Sequence, residues 1–335
     1  MGLSFGYVAR RLLIFLVVVW GAATINFLLP RLAPGDPMSA VLMRMTQQGM
    51  YLENQEELLA FYRAKFGLDD PLYIQYLKYM RNMVTFEMGY SLSYYPAPVR
   101  DILLRGLPWT LGLLSVATVL AFGMGTTIGA LMGWRTTPKW IRNLLPFSMT
   151  FASIPSYLLA LVLIYIFVYG LKMFPAGGGY GLNVKPGFNW PFIQDVLYHA
   201  VLPLMAVVIV AAGGWALGMR GMMITIHGDD YVVLAQAKGL SEGRVFWQYA
   251  VRNAMLPQVT ALAMSLGGIV SGSALVETWF SYPGVGWLLG TAVGNSDYTL
   301  IQGVTFMMVL STALAVLIID LLYPKIDPRI TYQRR

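Results

Sequence analysis

The chain of 335 residues contains no cysteine, which excludes disulfide staples, a thiol nucleophile, covalent haem attachment and cysteine-ligated metal. Its two histidines, His199 and His227, are too few for a histidine metal cluster, and no cofactor is expected. No GxxxxGK[ST] stretch occurs, so the backbone cradle that P-loop proteins build for nucleotide phosphates is missing. Gly123-x-Gly125-x-x-x-Gly129 misses the dinucleotide fingerprint by one residue and lies inside an apolar run. Charge is scarce as well. Asp, Glu, Lys and Arg make up 12% of residues against 57% hydrophobic ones, and the mean hydropathy is +0.61. Such a balance belongs to a polytopic membrane protein. Within the apolar runs charges are nearly absent, which removes the buried coupling groups of a proton relay, an ion filter or a secondary transporter. The net charge of +7 is then explained by anionic lipid headgroups and by the excess of basic residues in cytoplasmic loops, and no nucleic-acid partner is expected.

What is present is long apolar sequence. A span needs about 20 mostly apolar residues. Six stretches qualify: Val8–Leu29, Pro108–Gly133, Leu144–Tyr169, Val196–Arg220, Pro257–Val276 and Leu300–Tyr323. The first follows Arg10 and Arg11 like a secretory signal, but its core is long and no small-x-small cleavage site precedes Arg31, so it reads as a retained anchor. Arg135, Lys139 and Arg142 crowd into one short loop. Lys238, Arg244, Arg252, Lys325, Arg329, Arg334 and Arg335 add to the same side, against Lys172 and Lys185 in the short loop opposite. This asymmetry puts both termini and the 221–256 loop in the cytoplasm. The expected division is a cytoplasmic end and first span (1–30), an extracytoplasmic segment (31–107), a five-span domain (108–323) and a cytoplasmic tail (324–335). In the outer segment Glu53–Phe66 has the pattern of an amphipathic helix, and Leu72–Val84 of a second after the turn at Asp69-Asp70-Pro71.

Glycines four apart at Gly125, Gly129 and Gly133, at Gly214 and Gly218, and at Gly268 and Gly272 are the spacing that lets membrane helices pack closely. Asn26, Glu277 and Asp320 are the polar residues nearest the span edges. A hydrolytic site fares poorly. An intramembrane serine protease would want Gly-x-Ser-Gly, and Ile269 stands in the glycine position before Ser271-Gly272. Gly35-Asp36 has no second aspartate within a span to share a proton.

The one long polar interruption late in the chain is Asp229–Pro257. Asp229 or Asp230 can cap a helix whose Tyr231, Leu234, Ala235 and Lys238 share a face at i, i+3, i+4 and i+7. Gly239 falls where a left-handed C-terminal cap needs a residue without Cβ, with Leu240 after it. Ser241 can restart a second helix, with Arg244, Gln248 and Arg252 as its wet stripe, Val245, Phe246, Tyr249 and Ala250 on the other side, and Pro257 closing it. The short turn around Ala235, Ala237, Lys238 and Gly239 has the form of a docking knuckle; an amphipathic loop lying against the bilayer is an equal reading on physical grounds.

Ala235-Gln236-Ala237-Lys238-Gly239-Leu240, followed by Arg252-Asn253-Ala254-Met255-Leu256-Pro257, resembles the coupling loop of binding-protein-dependent ABC importer permeases of the peptide/nickel branch. Val233 and Leu234 stand where the broad family has Glu and Ala, and the Gly to Leu-Pro spacing is longer than in its sugar-importing branch. Ala33-Pro34-Gly35-Asp36-Pro37, Gly89-x-Ser91, Ser153-Ile154-Pro155-Ser156, Glu277-x-x-Phe280-Ser281-Tyr282-Pro283-Gly284, Asp297-Tyr298 and Asp327-Pro328-Arg329-Ile330 follow the same pattern in order. The resemblance implies an all-α, six-span permease of the type I importer fold in a bacterial or archaeal plasma membrane, with a helical extracytoplasmic insertion after the first span. It also implies a homologous second permease, two cytoplasmic ATPases and an extracytoplasmic solute-binding protein. Asp229, Asp230, Tyr231, Ala235, Ala237, Lys238, Gly239 and Leu240 would meet the ATPases. Ser265, Gly268, Ser271, Gly272, Leu275 and Glu277 would line the path, or form a packing seam. The cargo would be an oligopeptide or dipeptide, with oligosaccharides or nickel complexes as the alternative for the same machinery.

Overall fold

A computed structural model describes residues 5–32, 70–267 and 274–326; the expected helix Glu53–Phe66 and the closing Asp327-Pro328-Arg329-Ile330 lie outside them. Among the described residues the regular structure is helical. Helix α1 is Phe5–Leu32, α2 is Leu72–Thr85 and α3 is Val99–Gly133. A short turn α4, Lys139–Arg142, leads to α5, Leu145–Ser153, and α6, Ser156–Leu163, which runs on as a π turn, Ile164–Gly170. Helix α7, Trp190–Ile226, is followed by α8, Asp230–Ala237. Then come α9, Glu242–Arg244, a π turn, Val245–Val251, and α10, Arg252–Gly267. The chain closes with α11, Ala274–Trp279, α12, Val285–Gly294, and α13, Tyr298–Ile326.

Four of these, α1, α3, α7 and α13, are long and apolar enough to cross a membrane. The stretch expected as a single third span is instead two helical arms bent by 100° between Ser153 and Ser156. The cause is Pro155: its ring disfavours helical backbone at the residue before it, and Ile154 is extended at φ −86°, ψ 127°. The stretch expected as the fifth span starts earlier than Pro257, which sits inside α10; residues 268–273 are outside the described ones. The fourth is longer at both ends than expected; it starts at Trp190 because Asn189 caps it, its side chain accepting the Phe192 N–H at 2.9 Å, with Pro191 in the first turn.

The core of the molecule is the pair α3–α7. Here the expected glycine seam is real and its partner is identified. A Cβ on Gly125 would lie 2.6 Å from the Ala212 carbonyl oxygen, one on Gly129 would fall on the Ala216 carbonyl, and one on Gly133 would lie 2.6 Å from the Met223 Cβ. Both backbones therefore touch over two helical turns, with Ala117, Ala121, Val208 and Ala212 continuing the contact outward. Gly214 and Gly218, expected to do the same, face away from this seam.

At one end of the bundle, α2 and the 87–98 hairpin are tied to α13. Asn26 of α1, buried, donates to the Tyr79 hydroxyl at 3.1 Å and to the Gln302 carbonyl at 2.9 Å. At the opposite end Arg11 pairs with Asp320 at 2.9 Å. Two short motifs 206 residues apart meet at Asp297, which is completely buried. One carboxylate oxygen accepts the Leu300 N–H at 3.0 Å and so caps α13; the other accepts the Ser91 hydroxyl at 2.5 Å and the Ser93 N–H at 2.9 Å. Losing a cap costs about 0.5–2 kcal/mol, and orphaning the buried Ser91 hydroxyl adds to that. Asp297→Ala is therefore expected to lower the melting temperature of the detergent-purified protein and to expose the 87–98 hairpin to protease; unchanged melting and cleavage would contradict this.

Candidate functional site

The polar segment after α7 is built from a turn, a short helix and a hinge. Gly228 and Asp229 reverse the chain, and α8 begins with the Asp229 carbonyl accepting from Val232 and Val233. Asp229 occupies the cap position with extended backbone, but its carboxylate does not bond to the helix N–H groups, so the expected side-chain cap is absent. The other end is closed by the backbone. The Leu240 N–H reaches the Ala235 carbonyl at 3.3 Å and the Gly239 N–H reaches Gln236 at 2.9 Å, with Gly239 at φ +75°. That six-to-one and five-to-two pair is a Schellman cap, which needs a left-handed residue at this position. Nothing lies within 4 Å of a Cβ built on Gly239, so the glycine is there for its backbone angle and not for lack of room.

Helix α8 has one face in and one face out. Val232 and Ala235 are fully buried against Met219, Met223 and Ile226 of α7 and Val245, Phe246 and Ala250 of the π turn, and Leu240 packs on the same cluster. Trp134, at the end of α3, lies edge-on to the His227 ring at 4.9 Å and to Phe246 at 5.2 Å, so the segment rests on the C-terminal ends of both core helices. Ala235 is thus part of the foundation, a correction to the expectation that it faces a partner. The outward face carries Asp230, Tyr231, Val233, Leu234, Ala237 and Lys238. Val233 is 51% and Leu234 56% exposed, unusual for aliphatic side chains on an eight-residue polar-segment helix. These two, which stand where the broad family has Glu and Ala, are the largest aliphatic groups presented there. Among the described residues, no ion pair involves Asp229, Asp230, Lys238, Glu242, Arg244 or Arg252. Beyond Ser241, which makes no side-chain cap, the helical path runs unbroken from Glu242 into α10, with Arg244, Gln248 and Arg252 on the wet side as expected. The segment is therefore stiffly joined to the transmembrane helices at both ends.

Of the residues expected along a path, the three described ones, Ser265, Leu275 and Glu277, lie in different settings. Gly268, Ser271 and Gly272 lie outside the described residues. Ser265 is exposed on α10, its hydroxyl donating to the Leu262 carbonyl at 2.9 Å, and Leu275 is 53% exposed on α11. Glu277 is only 1% exposed. Its Oε2 accepts the Gly286 N–H at 2.7 Å beside Thr110, which accepts the Val285 N–H at 2.8 Å. The carboxylate and the hydroxyl close the N-terminus of α12, where unsatisfied N–H groups and the helix dipole favour an acceptor. Glu277 belongs to the clasp around the Phe280–Gly284 turn and not to an exposed wall.

Residues 125–332 match the family described as binding-protein-dependent transport system inner membrane component. Over the whole length, the chain is similar to the oligopeptide transport system permease protein AppB of Bacillus subtilis, 32% identical over 97% of this chain and 99% of that one. It is 33% identical to the oligopeptide transport system permease protein OppB of Haemophilus influenzae over 97% of this chain and 99% of the relative. With the di/tripeptide transport system permease protein DppB of Pseudomonas aeruginosa it shares 30% identity over 98% of this chain and 99% of the relative.

Proposed function

Because this chain belongs to the binding-protein-dependent transport system inner membrane components, as a multi-pass membrane protein, we propose that it is the permease subunit of a peptide-importing ABC transporter and works as follows. The observation that carries the reading is near full-length similarity to peptide permeases combined with an α8 that rests on both core helices and presents Val233 and Leu234 outward. The relatives named above are peptide carriers, which favours peptides over oligosaccharides or nickel complexes. The chain catalyses no covalent reaction. Two separate ATPase subunits supply the energy, a homologous second permease completes the path, and an extracytoplasmic binding protein delivers the cargo. Tyr231, Val233 and Leu234 enter the ATPase surface, and Asp230, Ala237 and Lys238 border the contact. Closure of the ATPase pair pushes on α8; the cluster of Val232, Ala235, Phe246 and Trp134 passes the push to α3 and α7, which move together because their backbones interlock along the glycine seam.

The test is reconstitution of the full complex in liposomes with its binding protein. ATP-driven uptake of tritiated alanine peptides and no uptake of malto-oligosaccharides is the expected outcome; sugar uptake, or ATP turnover by this chain without partner subunits, would overturn the assignment. Both termini and α8 lie in the cytoplasm in this reading. Since the chain has no cysteine, single cysteines are clean probes. One at Ser241 is expected to react only from the cytoplasmic side and one at Phe188, which is fully exposed, only from outside. Reaction of both from one side would refute the topology.

A further inference from the structure

Gly214, Gly218 and Gly221 lie at i, i+4 and i+7 on α7 and all three are exposed. They differ from the glycines of the α3–α7 seam in what faces them. A Cβ on Gly214 or Gly221 would meet nothing within 4 Å. One on Gly218 would meet only the side-chain amide of Gln258, with Nε2 and Oε1 each 3.4 Å away. Gln258, on α10, is 7% exposed and has no hydrogen-bond partner among the described residues. Its amide faces the glycine stripe at Gly218. A primary amide offers two donors and an acceptor, and leaving it unpaired at the edge of a membrane domain is unfavourable.

We propose that Gln258 and the Gly214–Gly218–Gly221 stripe form a contact site for the main chain of the transported peptide at the cytoplasmic end of the path. The inference rests on the peptide-importer reading. Three features select this occupant. A glutamine amide can donate to a peptide carbonyl and accept from a peptide N–H. The glycines present bare backbone, so side chains of any size clear the wall and recognition is independent of sequence. A helix of a second permease cannot satisfy the amide with its main chain, because a helix uses its own N–H and C=O groups internally, whereas an extended peptide leaves both free. A lipid acyl chain has no polar group to offer.

The experiment uses the complete importer in liposomes, with the binding protein and tritiated alanine peptides of two to six residues. A photoreactive benzoylphenylalanine at Gly221, where the space is open, is irradiated during ATP turnover. Transfer of label to this chain is expected. In Gln258→Leu, similar in bulk but without the amide, label transfer and uptake are expected to fall roughly five- to tenfold, the size of effect a lost hydrogen-bonding partner gives, while the partner subunits still co-purify. Crosslinking to the second permease in place of peptide would make the stripe a subunit interface and overturn the proposal. So would parental uptake in Gln258→Leu, or absence of any label at Gly221. If the parental complex imports none of the peptides, the functional reading itself fails and takes this inference with it; parental uptake with an indifferent Gln258 removes the inference alone.

Discussion

A complex carrying Leu234→Asp is expected to lose ATP-driven uptake by about a hundredfold and to release its ATPase subunits on purification, while the chain itself reaches the membrane at the parental level. Leu234 is 56% exposed and contributes nothing to the cluster under α8, so its replacement leaves Val232, Ala235 and their neighbours in place. In the assembled transporter the same side chain would be covered, and a carboxylate there would be desolvated without a partner. Central interface residues of this kind are worth about 2–4 kcal/mol, and each 1.4 kcal/mol is about tenfold. Gly239→Val reaches a related end by another route. The substituted residue has room but not the backbone angle, and a β-branched side chain at φ +75° is strained by at least about 1–2 kcal/mol. The Schellman cap would open and the outer face of α8 would lose its fixed aim. Co-purification of the ATPases and vesicle uptake are the measurements. Full coupling in Leu234→Asp would remove α8 from the ATPase contact.

The second large effect concerns the core. Gly129→Leu should prevent accumulation of folded protein, because any Cβ at this position lands on the Ala216 backbone and the two helices have to separate. Overpacking a well-filled core costs about 1–3 kcal/mol even where side chains can adjust, and here the obstacle is main chain on both sides. Gly123→Leu, on the same helix with open space around it, is the control and should accumulate normally. Size-exclusion profiles of fluorescently tagged variants in mild detergent separate the outcomes. Equal, monodisperse peaks for both would mean that α3 and α7 do not pack through Gly129.

Much of this arrangement was legible in the amino-acid order. Pattern and charge located the apolar runs, and spacing alone singled out Gly125, Gly129 and Gly133. Gly239 was recognisable because only one backbone conformation ends a helix that way before a second helix starts. What escaped was whatever depends on the third dimension. The glycines at 214 and 218 have the same spacing as those at 125 and 129, and no sequence rule says which set meets a helix and which meets open space. Ala235 and Leu234 are adjacent and both apolar; one is foundation and the other is surface because α8 leans on Phe246 and Met223. Glu277 looked like a path residue, since a carboxylate at a span edge invites that reading, and its role as a helix-terminus acceptor emerges only when Gly286 folds back onto it. Ser153-Ile154-Pro155-Ser156 contained its own bend, but an apolar count over Leu144–Tyr169 averages through a proline.

The clasp between α1 and α13 carries a consequence for biogenesis. Asn26 leaves the ribosome 276 positions ahead of its partner Gln302. At translation rates of about 5–20 residues per second, that interval lasts roughly 15–60 s. During it an amide side chain stands in the bilayer without the carbonyl it finally bonds, as does Arg11 without Asp320. Until α13 arrives, α1 has only the contacts that α2 offers, the Tyr79 hydroxyl and the Tyr76 hydroxyl among them. The clasp closes only when Gln302 and Asp320 come into place.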